Sequence, residues 1–147
     1  MNDENFVKIT VTAPDLVPTY ARVGDAGADL KSSVDVTIAP QQRVLVPTGV
    51  RLALPDGLVA LVNPRSGLAF KHGITILNAP GTIDSGYRGE IGVILYNSSD
   101  EDFTVERGDR IAQLVITSVF AVNFQVVEAL PDSERGAEGF GSTGVKN

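Results

Sequence analysis

Asp84 is the residue best placed to do chemistry. It sits among Thr82, Ser85 and Tyr87, all able to order water beside a carboxylate. A carboxylate in that position can take a proton from the water and make it a nucleophile. The surrounding decapeptide, 81–90 (GTIDSGYRGE), is punctuated by Gly81, Gly86 and Gly89, which leave main-chain N–H and C=O groups unshielded. Such groups could read a planar ring, and Tyr87 could lie under a sugar. Arg88 and Glu90 read as a structural ion pair. Taken alone, the segment is equally a plain glycine-rich hairpin with solvated charges.

Four further segments carry groups of interest. In 25–30 (DAGADL) two carboxylates flank small residues ahead of a strand. Asp29 there could hold a hard cation directly or through water, as Mg²⁺ sites often do with one or two carboxylates; it could also close an Asx turn. In 64–69 (PRSGLA) Arg65, Ser66 and Gly67 open a short helix, where free amides and a guanidinium fork favour anions. A simple capped helix start fits as well. Serine nucleophilic catalysis is disfavoured, because His72, the only histidine, would have to be the base; His72 reads as a surface or packing residue. In 108–116 (GDRIAQLVI) Gln113 is polar inside an apolar run and needs a partner, either a phosphate oxygen or the backbone. The segment 135–144 (RGAEGFGSTG) interleaves Arg135, Phe140, Gly141, Ser142 and Thr143. It could fold over a nucleotide, stacking Phe140 on the base and gripping phosphates with hydroxyls and amides. It lacks the Gly-Lys-Ser/Thr end of a Walker A loop, and by itself it is as readily a disordered end.

The elements that must position these groups are strands. The chain has 147 residues, enough for one domain with a real core. Its aliphatic set holds 19 Val and 9 Ile against 12 Leu, a mix suited to β-structure. Period-2 alternation recurs at Ile9/Val11, Val34/Val36/Ile38, Val50/Leu52/Leu54, Val59/Leu61, Ile74/Ile76 and Ile91/Val93/Leu95, with Val126 near the end of the series. Turn signals at 39–42, 55–57, 97–100 and 107–109 separate the runs, as in a sandwich, jelly roll or barrel. One short helix is expected over Ser66–Lys71. From Pro131 the composition turns to Gly, Ser and charge, too polar to fold alone. The expected division is a β-domain over 1–130 and a mobile arm over 131–147.

Cysteine is absent, which excludes disulfides and thiolate metal sites. The acidic N-terminus has no secretory pattern, and no apolar run reaches the ~18 residues of a membrane span. A soluble, cytoplasmic protein is expected. The net charge of −6 argues against general nucleic-acid binding. It also means that a phosphate-bearing ligand must be drawn in by local cations or a metal.

The five segments, in this order and spacing, resemble the five motifs of the trimeric all-β dUTP pyrophosphatase (dUTPase) family, from about Gly24 to Gly144. PRSGLA and GTIDSGYRGE are the most specific pair. The resemblance implies a jelly-roll-like, β-clip type fold with one short helix and a flexible C-terminal arm. It implies hydrolysis of dUTP to dUMP and pyrophosphate with Mg²⁺, limiting uracil incorporation into DNA and supplying dUMP for thymidylate synthesis. It also implies a homotrimer whose active sites are shared between subunits. By the same resemblance, Asp84 activates the water that attacks the α-phosphorus, and Tyr87 packs under deoxyribose. Asn78 and the main chain through Thr82, Ile83 and Gly92 read uracil. Arg65, Ser66, Gly67 and Gln113 contact phosphates, and Asp29 holds magnesium-bound water. Arg135, Phe140, Gly141, Ser142 and Thr143 form the closing arm. Two departures stand out: Glu138 precedes Gly139 where the family usually has Gly-Gly, and Gly86 stands where an acid is common. The rival readings are a dCTP deaminase of the same fold and a jelly-roll binding module that has kept a nucleotide pocket.

Overall fold

The structure, a computed structural model, describes residues 6–146; the polar stretch 1–5 and the terminal Asn147 lie outside the described residues. Ten strands form: β1 (Lys8–Val11), β2 (Ala28–Lys31), β3 (Val36–Ile38), β4 (Arg43–Ala53), β5 (Leu58–Asn63), β6 (Ile74–Ile76), β7 (Gly81–Ile83), β8 (Glu90–Asn97), β9 (Phe103–Val105) and β10 (Arg110–Ser118). Among the described residues one α-helix, α1 (Ser66–His72), joins β5 to β6, and a single 3₁₀ turn covers Pro14–Leu16. Two four-stranded sheets, β1-β4-β8-β6 and β2-β10-β5-β7, are accompanied by the ribbon β3-β9. The fold is all-β and jelly-roll-like, as expected.

Alternation explains the layers. Ile91, Val93 and Leu95 of β8 and Val46, Val50 and Leu52 of β4 turn inward from the first sheet, and Leu30, Val62 and Leu114 meet them from the second. Burying each such side chain contributes about 1.5–3 kcal/mol. β4 keeps β8 as partner across a bulge after Pro47, a residue with no ladder donor to lose, and β1 also pairs with it along Val50–Ala53. The buried Thr48 hydroxyl donates to Ile91 O at 2.7 Å and accepts from Val50 N at 3.3 Å, which holds the bulge. The helix stops at Gly73, in the left-handed region at φ +66°, whose N–H returns to the last turn.

Three expectations need revision. Val59 and Leu61 share a face, but it is the half-buried one; Ala60 and Val62 point into the core. Ile9 lies on the edge strand β1 and is exposed. Val126 belongs to no strand and is 97% exposed, because after Ser118 the chain has no neighbouring strand to pair with.

Candidate active site

The decapeptide 81–90 is not a hairpin. β7 pairs only with β5 in the second sheet, whereas β8 pairs with β4 and β6 in the first. Residues 84–89 therefore arch from one sheet to the other. Their number already exceeds the roughly 2–5 residues of most hairpin loops. The arch leaves a cavity of about 210 Å³ between the sheets. Val62 and Ile83 line it from one sheet, Ile76, Ile91 and Val93 from the other, and Asn78, Thr82, Asp84, Tyr87 and Gly92 complete it. That volume falls below the ~300 Å³ at which whole drug-sized ligands are accommodated. It suits a small heterocycle with its substituents left outside.

Main-chain bonds and two arginines set the arch. Tyr87 N donates to Asp84 O at 3.1 Å, closing a turn that fixes both residues. Arg88 Nη1 donates to Ser85 O at 2.6 Å and to Tyr87 O at 3.0 Å. Arg51 Nη1 in turn donates to Arg88 O at 3.2 Å. The expected Arg88–Glu90 ion pair is not formed; the guanidinium clamps carbonyls of its own turn, which lie within easier reach. Tyr87 Oη donates to Glu90 O at 3.0 Å. The Asp84 side chain is exposed and forms no hydrogen bond or ion pair among the described residues.

A second cavity, of about 480 Å³, lies where β2, β10 and the start of α1 meet. The register places Asp29, Gln113 and Asn63 side by side across three strands. Asp29 is in β2 itself, its side chain only 13% exposed, with Oδ1 3.4 Å from Arg65 Nε and Oδ2 3.8 Å from Arg110 Nη1. Arg65 also donates to Arg110 O at 3.2 Å. Gln113 Nε2 donates to Pro64 O at 2.9 Å, so one of its amide hydrogens serves the backbone. A Cβ at Gly27 would lie only 3.0 Å from Gln113 Cβ, so the loop needs glycine to close on that side chain. Ser66 and Gly67, the first residues of α1, line the cavity, and no side chain caps the helix. His72 lines it too and packs against Phe103, ring centroids 5.2 Å apart.

Sequence reasoning missed two cations here. Lys71 and Arg110 join Arg65 around the cavity, which the carboxylates of Asp25 and Asp29 also line. Arg110 was visible three residues before Gln113. The irregular register between Arg110 and Ala112, which no periodicity reveals, accompanies its approach to Asp29.

The two cavities stand apart. Asp84 follows β7 beyond the Ile83–Ala60 pair, toward the Leu58 end of β5, whereas Arg65 follows its Asn63 end. The five steps of ~3.3 Å between its six residues make that strand about 17 Å from end to end. The C-terminal segment joins neither cavity. Phe140 is fully exposed, and the hydrogen bonds of residues 131–146 run within the segment: Arg135 Nε to Glu138 O at 2.9 Å, Ser142 N to Gly139 O at 3.2 Å, Gly144 N to Gly141 O at 2.8 Å.

A β-sheet body with a small cavity between its sheets, and a larger one ringed by arginine, lysine and a helix start, defines a nucleotide-binding protein of the all-β class. The dUTPase family model matches residues 14–144. A deoxyuridine 5'-triphosphate nucleotidohydrolase from Cutibacterium acnes is 58% identical over 137 residues, 92% of this chain and 90% of that one. Another from Treponema denticola is 50% identical over 144 residues, 97% and 99% of the two chains. Among solved structures, the Staphylococcus bacteriophage 80alpha dUTPase with dUPNHPP matches at TM-score 0.88 and 30% identity, over 96% of this chain and 99% of that one. The chain belongs to the dUTPase family.

Proposed function

We infer that the arch 84–89 carries the chemistry of the family reaction in this chain. The protein hydrolyses dUTP to dUMP and is a dUTP diphosphatase. In the proposed route, Asp84 takes a proton from a water that attacks the α-phosphorus, and pyrophosphate leaves. The observation that carries this reading is the free Asp84 carboxylate, fixed by its turn at the mouth of a base-sized cavity. A carboxylate already neutralised by a cation would be a poorer base. Phosphoryl transfer asks mainly for positioning and charge neutralisation, so one such base suffices.

The other roles follow from position. Asn78 and the main chain at Thr82, Ile83 and Gly92 surround the uracil, and Tyr87 lies against the deoxyribose. Arg65, Ser66, Gly67 and Gln113 hold phosphate oxygens, with Lys71 and Arg110 adding charge. Asp29 fits a magnesium ion held through water: it offers one carboxylate to a roomy cavity, and Mg²⁺ keeps several waters while binding substrate phosphates. Bound there, the metal would neutralise phosphate charge. Among the described residues no group of three or more acidic or histidine side chains is arranged to hold a metal ion.

We further propose a homotrimer with shared sites. A nucleotide with its base in the first cavity sends its phosphates out past Asp84, away from the second cavity of the same chain. The Arg65 group must then come from a neighbour. The segment after Ser118 supports the same conclusion: Phe120, Val122, Phe124 and Val126 alternate and are 62–97% exposed, the pattern of a strand lacking its partner. Arg135, Phe140, Gly141, Ser142 and Thr143 lie beyond it and would close over a site on another subunit. A cytoplasmic setting is supported by the cysteine-free composition.

A pyrophosphate-release assay with Mg²⁺ across dUTP, UTP, dCTP and dTTP tests the reading. Release from dUTP alone is expected; ammonia release from dCTP, or dUTP binding without turnover, would overturn it.

A further inference from the structure

We propose that Gly89 is the positioning residue that seats the Tyr87 ring, and through it sets discrimination between deoxyribose and ribose. This rests on Tyr87 being the surface against which the sugar packs.

Gly89 is not glycine for backbone reasons. Its φ lies outside the left-handed region, so any residue could adopt its conformation. The space beside it is what matters. A Cβ built there would lie 2.9 Å from Tyr87 Cε2 and closer still to Cζ and Oη. At Gly86, in the same arch, a Cβ would meet nothing within 4 Å. The Tyr87 ring thus folds back onto the one position in the arch where a missing Cβ makes room for it. Its hydroxyl is then tied to Glu90 O at 3.0 Å.

That posture places the ring as a wall. Tyr87 lines the base-sized cavity and also the neighbouring groove of Leu45, Pro47, Glu90, Gly92 and Ile94. The ring is half exposed and is the free end of its side chain, so an intruding methyl moves the ring and not the backbone. A displaced ring opens the wall where the sugar edge must lie, and an added 2'-hydroxyl gains room. The fold and Asp84 stay as they are.

Steady-state kinetics with dUTP and UTP on the full-length protein test this, with Tm measured for each variant. For Gly89→Ala, the ratio of kcat/KM for dUTP over UTP should fall at least about tenfold. The KM for dUTP should rise, kcat for dUTP should stay within about threefold, and Tm should hold. Tyr87→Ala should lower selectivity at least as much, and adding Gly89→Ala to it should change nothing further. Tyr87→Phe keeps the ring and removes its tie, so selectivity should fall part-way. If Gly89→Ala keeps wild-type selectivity while Tyr87→Ala loses it, the role of Gly89 is overturned. If Tyr87→Ala itself keeps selectivity, the sugar-packing role of Tyr87 falls, and the proposal with it. If Gly89→Ala lowers Tm and kcat equally in both Tyr87 and Ala backgrounds, Gly89 is structural and the proposal fails.

Discussion

Replacing Asp84 by Asn separates chemistry from binding. The side chain is exposed and unpartnered among the described residues, so the nearly isosteric amide leaves no orphaned group behind. Surface changes of that kind move stability by about 0.5 kcal/mol or less, and Tm should hold. Binding should change little as well. Two unit charges ~6 Å apart in water interact by roughly 0.7 kcal/mol, so losing one carboxylate near an anionic substrate alters affinity by only about threefold, toward tighter binding. The chemical step is different. A positioned general base contributes ~10²–10⁴-fold. At about 1.36 kcal/mol per decade, that is roughly 2.7–5.5 kcal/mol of barrier. Asp84→Asn should therefore lower kcat by ~10²–10⁴ while the Kd of a non-hydrolysable imido analogue of dUTP stays within about threefold. Single-turnover pyrophosphate release gives the first quantity, and calorimetric titration of the analogue gives the second. A loss of kcat under tenfold, or a matching loss of affinity, would remove Asp84 from the role of base.

Truncation after Leu130 should lower kcat/KM for dUTP by at least about tenfold with Tm unchanged, since the hydrogen bonds of residues 131–146 run within that segment; steady-state assays beside thermal melts check both. Phe124→Glu, at a side chain 93% exposed in the single chain, should shift the mass measured by light scattering toward monomer and lower activity in parallel; an unchanged assembly would refute the pairing of that segment with a neighbour. Asp15→Asn should cost stability at neutral pH and little in strong acid. The Arg107 side chain, bonded at 2.8 and 3.0 Å, holds the Asp15 carboxyl below its ordinary value. A carboxyl with a lowered folded pKa stabilises above its unfolded value, ~3.9, and loses that contribution as pH falls through the folded one. The Tm difference between the two proteins should therefore shrink below about pH 4 in melts run across pH.

The residue types of the proposed site were legible because chemistry restricts them: a lone free carboxylate among hydroxyls at Asp84, a guanidinium beside a helix start at Arg65, a half-buried amide at Gln113. What periodicity cannot report is which sheet a strand joins. Gly81–Ile83 and Glu90–Asn97 alternate alike whether they pair with each other or face one another across the core, so a hairpin and an arch look the same. The difference matters functionally, because only an arch leaves a gap between sheets for a base. The same blindness extends to the pairing we propose for residues 120–126. Their alternation reads as a strand, and nothing in a sequence says whether the pairing edge belongs to the same chain. Gly89 shows the limit from the other side. As a letter it signals a flexible loop, yet its backbone is ordinary and its missing Cβ makes room for the ring at Tyr87. A glycine's purpose is read from what stands beside it, and here that neighbour is the ring we propose as the wall for the sugar.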